Sequence, residues 1–308
     1  MKTIQHLMAV ALAAVSLPAN AEVIATAPPE PTTQTTAVVP AEQATPALWK
    51  IADEDTTIYL FGTIHVLPKG IEWFEGKVAS AFAESDFLVT EIVEGDEATM
   101  EALVIRKAML PADQSLRELL PESQRGAYEA ALATYNIPPL VFDRFEPWYA
   151  AVALSTLPLM KEGFATENGV ETQLDAKAKA RNMAHQGLET PEYQLGLFDG
   201  LPMDVQKSYL SEVVEQLPGI KDDLMAMVNA WKSGNAAELA ELMNIEESNP
   251  VLVKTLLVDR NKAWAAWIGS RMARPGTVFM AVGAGHLGGP GSVQDQLAIQ
   301  DVTVERLQ

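Results

Sequence analysis

The chain has 308 residues, with 41 Asp and Glu against 22 Lys and Arg, a formal charge of -19 and no cysteine. A protein this acidic repels phosphate backbones and anionic membranes, and no run of Lys or Arg overrides that field, so nucleic acid is excluded as a partner. Without cysteine there are no disulfides, zinc ribbons, iron–sulfur clusters or thiol nucleophiles, and any chemistry falls to His, Asp, Glu, Ser and Arg.

In chain order, Lys2 is followed by an apolar run over residues 7–17, by Pro18 and by Ala19-Asn20-Ala21, an A-x-A cleavage pattern, which reads as a secretory signal peptide over 1–21, cut after Ala21. The run is too short for a membrane helix, which needs about 20 apolar residues. Later apolar stretches are all interrupted by charges, so the expectation is an exported, periplasmic or secreted protein with no stable membrane insertion. Residues 22–47 are rich in Pro, Thr and Ala without a periodic apolar face, and read as a flexible tether. The folded domain is expected over 48–308.

Within it, 49–52 and 57–61 form short β-type runs around Asp53-Glu54-Asp55, a hairpin pattern. A helix is expected over 78–83, then an apolar strand over 86–92 that carries Glu91 near its end. Amphipathic helices are expected over 97–110, 121–135, 148–157, 172–183, 205–216 and 252–271, with prolines falling between them. Residues 187–190 break that pattern as a short strand or turn. The apolar run 276–282 reads as a buried parallel strand, followed by a glycine-rich turn, a helix over 292–298 and a closing strand over 302–307. The fold class is α/β: a central, mostly parallel sheet formed by the N- and C-terminal segments, with a large helical insert.

Two places share one arrangement. The strand ending in Phe61 runs into Gly62-Thr63-Ile64-His65, and the strand ending in Val282 into Gly283-Ala284-Gly285-His286. Glycine tolerates a sharp exit from a strand, and a histidine three residues on lands at the strand's carboxyl end, where ligands bind in open α/β sheets. With Glu91 at the same end of a neighbouring strand, His65, Glu91 and His286 form a two-histidine, one-carboxylate set. Such a set suits a catalytic divalent ion such as manganese, cobalt or zinc or, without metal, a histidine base oriented by a carboxylate. Residues 283–288 also match G-x-G-x-x-G, but the chain ends three residues after Glu305, and Pro290 interrupts the helix start that a dinucleotide site needs. H-E-x-x-H, G-x-S-x-G and Walker A patterns are absent.

The stretch YLFGTIHVLP at 59–68, the strand ending at Glu91, Gly169-Val170-Glu171 with Leu174, GLETPEYQLGLF at 187–198, Asp259-Arg260-Asn261 with Trp264, and VGAGHLGGPGSV at 282–293 together resemble the TraB/GumN proteins. That group extends to the TIKI metalloproteases and, more distantly, to the erythromycin esterase and ChaN-like fold. The ordered set spans nearly the whole domain from about residue 48. The resemblance implies an α/β fold with a helical insert and a site built from both Gly-x-x-His motifs, a strand-end Glu and an Arg. Glu171 stands where the family often has Asp, which leaves its role open.

Among the remaining residues, Arg260 with Asn261 is a candidate donor to an oxyanion or a substrate carboxylate, and Glu189 a further ligand or an anchor for Arg260. His185 lies outside any Gly-x-x-His context and reads as surface. The leading expectation is a metal-dependent hydrolase acting on a peptide or small-molecule amide. The rivals are a pocket that holds a metal, haem or small ligand without turnover, and a metal-free esterase with a histidine base.

Overall fold

The computed structural model describes residues 42–93, 95–243 and 249–308. The expected signal peptide, and the tether up to residue 41, lie outside the described residues. Residues 42–47, the end of the expected tether, are part of the domain. Strand β1 (Glu42–Gln43) pairs in parallel with β5 (Ile71–Glu72), and Ala44 and Ala47 are buried.

The central sheet has six strands: β2 (Leu48–Ala52), β3 (Thr56–Thr63), β6 (Phe87–Thr90), β8 (Ala184–Gly187), β9 (Gly276–Gly283) and β10 (Glu305–Arg306), in the order β10-β2-β3-β9-β6-β8. The expected hairpin is β2 and β3, antiparallel through Leu48↔Phe61 to Ala52↔Thr57. Its turn is held by Asp53, whose Oδ1 accepts the backbone N–H groups of Asp55 and Thr56. From β3 onward the pairs β3–β9, β9–β6 and β6–β8 are parallel, while β10 joins β2 antiparallel at the edge. The sheet is therefore mixed, and it is not built from the terminal segments alone. Its far edge, β8, comes from within the helical insert and starts three residues before the break expected at 187–190, overlapping it at Gly187. Two further short strands, β4 (Leu67–Pro68) and β7 (Phe164–Ala165), pair with each other beside it.

Side chains alternate across the sheet with the period of two that a strand imposes. Tyr59, Phe61, Leu88, Phe279 and Ala281 face the helical insert and join the larger core. Ile58, Leu60, Val89, Val278, Met280 and Val282 face the C-terminal helices Asp259–Met272 and Val293–Ala298, packing on Trp264, Ala265, Ile268, Val293 and Leu297. Apolar strands buried on both faces explain why β3 and β9 lack a polar side in the sequence.

The insert contains the expected helices at Glu97–Ala108, Glu122–Thr134, Pro147–Lys161, Val170–Ala180 and Met203–Gln216. It also contains four not read from the sequence: the short helix Leu116–Leu119, and Pro191–Asp199, Ile220–Lys232 and Ala236–Met243. The last expected helix is interrupted, with Lys254–Val258 forming a π turn directly before Asp259–Met272. No described helix is long and apolar enough to cross a membrane.

Candidate functional site

The register of the parallel strands assembles the site. Thr63 sits opposite Gly283 at the ends of β3 and β9, and Thr90 sits opposite both Ala281 of β9 and Gly187 of β8. His65 follows two residues beyond β3, Glu91 one beyond β6, Glu189 two beyond β8 and His286 three beyond β9, so all four emerge from one edge of the sheet. The β6–β8 ladder continues past the strands, with Leu188 N–H donating to Thr90 O and Glu189 N–H to Glu91 O at 2.8 Å, which brings the two glutamates side by side.

Neither motif glycine has the positive φ that would explain it by backbone freedom; space explains both. A Cβ on Gly62 would lie 3.1 Å from Ala284, and one on Gly283 would lie 3.0 Å from Glu91 Oε1, 3.6 Å from His286 Cδ2 and 3.8 Å from His65 Nε2. Gly283 is thus the point on which both histidines and the glutamate converge. Gly169 acts similarly behind His65: a Cβ there would fall 2.1 Å from His65 O, where Val170 N–H also donates to Ile64 O. Gly169→Ala is accordingly expected to cost about 1–3 kcal/mol through overpacking against backbone, read as a lower denaturant midpoint. An unchanged midpoint would remove this account of the contact.

Arg260, buried at 4% exposure, is the hub of the floor. Its Nε donates to Glu189 Oε1 at 2.9 Å, and its Nη2 to Glu91 Oε2 at 2.5 Å and to Glu189 Oε2 at 2.8 Å. Nη1 donates to Leu256 O at 3.1 Å and to His286 Nε2 at 3.1 Å. Leu256 belongs to the π turn, and that local widening of the helix aims its carbonyl at the guanidinium. A guanidinium has five N–H groups, and all five are engaged. The expectation that Arg260 offers a free donor to substrate is therefore corrected: it neutralises and orients two buried carboxylates. Glu189 also accepts from Trp264 Nε1 at 2.9 Å, which makes it the anchor of Arg260.

His286 is fastened on both nitrogens. Nδ1–H donates to Asn261 Oδ1 at 2.6 Å, Asn261 Nδ2 donates in turn to Gly291 O at 2.8 Å, and the ring lies 4.4 Å from that of Trp264. Burial, followed by the neighbouring Arg260 charge, pushes its pKa down to about 3, so it is a neutral imidazole whose Nε2 accepts from Arg260. Glu91 is also fully engaged, with Oε1 taking Gly283 N–H at 2.8 Å and Oε2 taking Arg260 and Gln194 Nε2 at 3.0 Å. Burial opposes its charge, but Arg260 foremost, with the two imidazoles and the Gly283 N–H, holds its carboxyl well below the usual carboxylate range.

His65 differs from His286. Its Nδ1 lies 2.8 Å from Glu171 Oε1, and Thr63 Oγ1 donates to the same carboxylate oxygen. The Nε2 edge has no hydrogen-bond partner among the described residues and faces the cleft. Burial alone would lower its pKa, yet the Glu171 carboxylate, by charge and by hydrogen bond, carries it up to about 9. Glu171, whose role was open, is the orienting partner of His65.

The cleft above these groups holds about 770 Å³ of empty space, its open mouth included. Its other wall is apolar: Leu197, Phe198, Leu224, Met227, Leu239, Met243, Leu256 and Leu257. His185 does not line it. Expected at the surface, His185 is half-buried instead, clamped between Asp175 Oδ1 at 3.0 Å and Thr90 Oγ1 at 2.7 Å, where it ties β6 to the helix Val170–Ala180. Gln194 and Thr63 were not singled out from the sequence. Both lie inside quoted stretches, but nothing in their spacing marks them.

The donor set does not fit a resident cation as it is arranged. Glu91 and His286 give their electron pairs to Arg260, Gly283 and Gln194, and among the described residues no group of three His, Asp or Glu side chains is disposed around one ion position.

The model of the TraB/PrgY/gumN family matches residues 47–306. The chain is similar to the uncharacterized protein YbaP of Escherichia coli K12, at 27% identity over 240 residues, which is 78% of this chain and 87% of that protein. It is also similar to an uncharacterized protein of Treponema pallidum strain Nichols, at 22% identity over 262 residues, 80% of this chain and 78% of that protein. No solved structure matches.

Proposed function

We propose, for a chain that belongs to the TraB/PrgY/gumN family, that it is an exported hydrolase of amide or ester bonds in which His65 is the general base. The observation that carries the reading is the asymmetry of the two histidines. His286 is neutral and bound on both nitrogens, whereas His65 is oriented on Nδ1 by Glu171 and leaves Nε2 open to the cleft. A carboxylate holding one ring nitrogen directs the lone pair of the other. Neutral His65 takes a proton from water, the hydroxide so formed adds to the acyl carbon, and the proton passes to the departing oxygen or nitrogen as the acyl bond breaks. Arg260, Glu91, Glu189 and His286 form the rigid floor that sets where the substrate stops.

The manganese, cobalt or zinc ion expected from the sequence would have to take His286 Nε2 and Glu91 from Arg260, and this reading routes no step through it. Hydrolysis of 4-nitrophenyl acyl esters is expected to survive chelation. Loss on chelation with recovery on metal addition would overturn the reading in favour of a metal-dependent hydrolase.

The pH profile tests the base. His65 is protonated at neutral pH, so the rate should climb with pH and level off above about 9. In Glu171→Gln, burial is no longer countered by that carboxylate, and the midpoint should fall below the wild-type value, toward or beneath the ordinary histidine value of about 6.5. A midpoint that stays near 9 would remove Glu171 from this role.

A further inference from the structure

Gln194 is 3% exposed, lies on the helix Pro191–Asp199 and borders the cleft. Its Nε2 donates to Glu91 Oε2 at 3.0 Å and to Glu189 Oε2 at 2.9 Å. Both partners accept only, so both amide hydrogens are spent and the orientation of the side chain is settled by the network. The carbonyl Oε1 is what remains. No described residue donates to it, and the cleft that Gln194 borders is walled by apolar residues that include Leu197, Phe198, Leu224 and Met227. The two glutamates ask only for a donor, a demand that a Lys or Arg would meet as well. A residue that also sets an acceptor into an apolar chamber serves something else.

We propose that Gln194 reads the ligand: its side-chain carbonyl accepts one N–H or O–H of the bound molecule, so the cleft selects an apolar molecule carrying a hydrogen-bond donor over its donor-free analogue. The inference rests on the cleft being the substrate site. A carbonyl on the cleft wall that the protein gives no donor is met by a ligand that supplies one, whereas an analogue that fills the cleft without a donor leaves it unmet and is bound less tightly. The apolar wall receives the carbon chain, Gln194 fixes the donor, and the acyl carbon is left toward His65 Nε2 across the same cleft.

The test uses three probes on the His65→Ala protein, in which turnover does not enter: N-hexylacetamide, which has one N–H, N-hexyl-N-methylacetamide, which has none, and hexyl acetate, which has none and no added methyl group. Calorimetry should find the secondary amide bound about tenfold more tightly than either of the others, the worth of one neutral hydrogen bond. In the His65→Ala, Gln194→Met double variant the three affinities should converge. Each comparison is a ratio within one protein, so a general loss of order in the variant cancels, and the ratios in the Gln194 protein decide the matter even if the variant fails to fold. Equal affinities there, or a preference that persists in a folded Gln194→Met protein, or no binding of any probe, would overturn the proposal. Ester turnover by the His65 protein is measured separately, so failure of the hydrolase reading and failure of this one are distinct results.

Discussion

Arg260→Leu is expected to lower the unfolding free energy by about 3–5 kcal/mol at neutral pH, because it leaves two buried carboxylates without their shared cation. Arg260, Glu91 and Glu189 have side-chain exposures of 4%, 5% and 7%, so water cannot replace the guanidinium. The pH dependence should change sign as well. In the native protein the Glu91 carboxyl titrates below its unfolded value. Its stabilising contribution is therefore complete above the unfolded carboxylate range, and is lost as pH falls through the folded value. Without Arg260 burial dominates, the folded value rises above the unfolded one, and the variant should become less stable as pH rises from 5 to 8. Arg260→Lys should fall between the two proteins, since it keeps the charge but not the fork that serves Glu189, Glu91, Leu256 and His286 at once. Urea unfolding across that pH range reads all three. A loss under 1 kcal/mol for Arg260→Leu would mean that the cluster relaxes or admits water.

The second large effect is on chemistry. His65→Ala is expected to reduce kcat/KM for 4-nitrophenyl acyl esters by about 10²- to 10⁴-fold, the usual worth of a positioned general base. Stability at neutral pH should fall by less than in Arg260→Leu, because the imidazole is fastened only to Glu171, which keeps Thr63 as a donor, and that loss should fade as pH rises through about 9, where the native histidine gives up the proton that its raised value holds. This contrast with Arg260 separates a group that acts from one that holds. Ester turnover by His65→Ala within threefold of the native protein would sink the assignment.

Much of the architecture was legible because it follows from local pattern. The hairpin of β2 and β3, the apolar strand β9, the Glu91 strand and most helices between the prolines carry signals within ten or fifteen residues. Among the missed helices, Pro191–Asp199 and Ile220–Lys232 were read through because the prolines at 191 and 218 were taken as spacers between longer helices, whereas Pro191 opens one at its first turn. β8 was misplaced by three residues because Ala184–Gly187 has no strand-like apolar face; its pairing with β6 makes it a strand, and no local propensity does.

The site divides along the same line. His65, His286 and Glu91 could be named from the sequence because a strand, a glycine and a histidine three residues on recur twice, and a strand end sets where those side chains emerge. By itself the sequence determined the α/β class, the residues placed at the carboxyl edge of the sheet and the absence of cysteine thiol chemistry, because composition and short-range periodicity carry them. Only the tertiary structure decided that β3, β9 and β6 lie adjacent and parallel, that Arg260 spends every donor on the floor, that Glu171 pairs with His65 and not with His286, and that Gln194 leaves a carbonyl to the cleft. Those facts depend on contacts between residues as far apart as Glu91 and Arg260, and on which of two chemically identical histidines is given a carboxylate and which a guanidinium. Spacing along a chain holds no record of that choice.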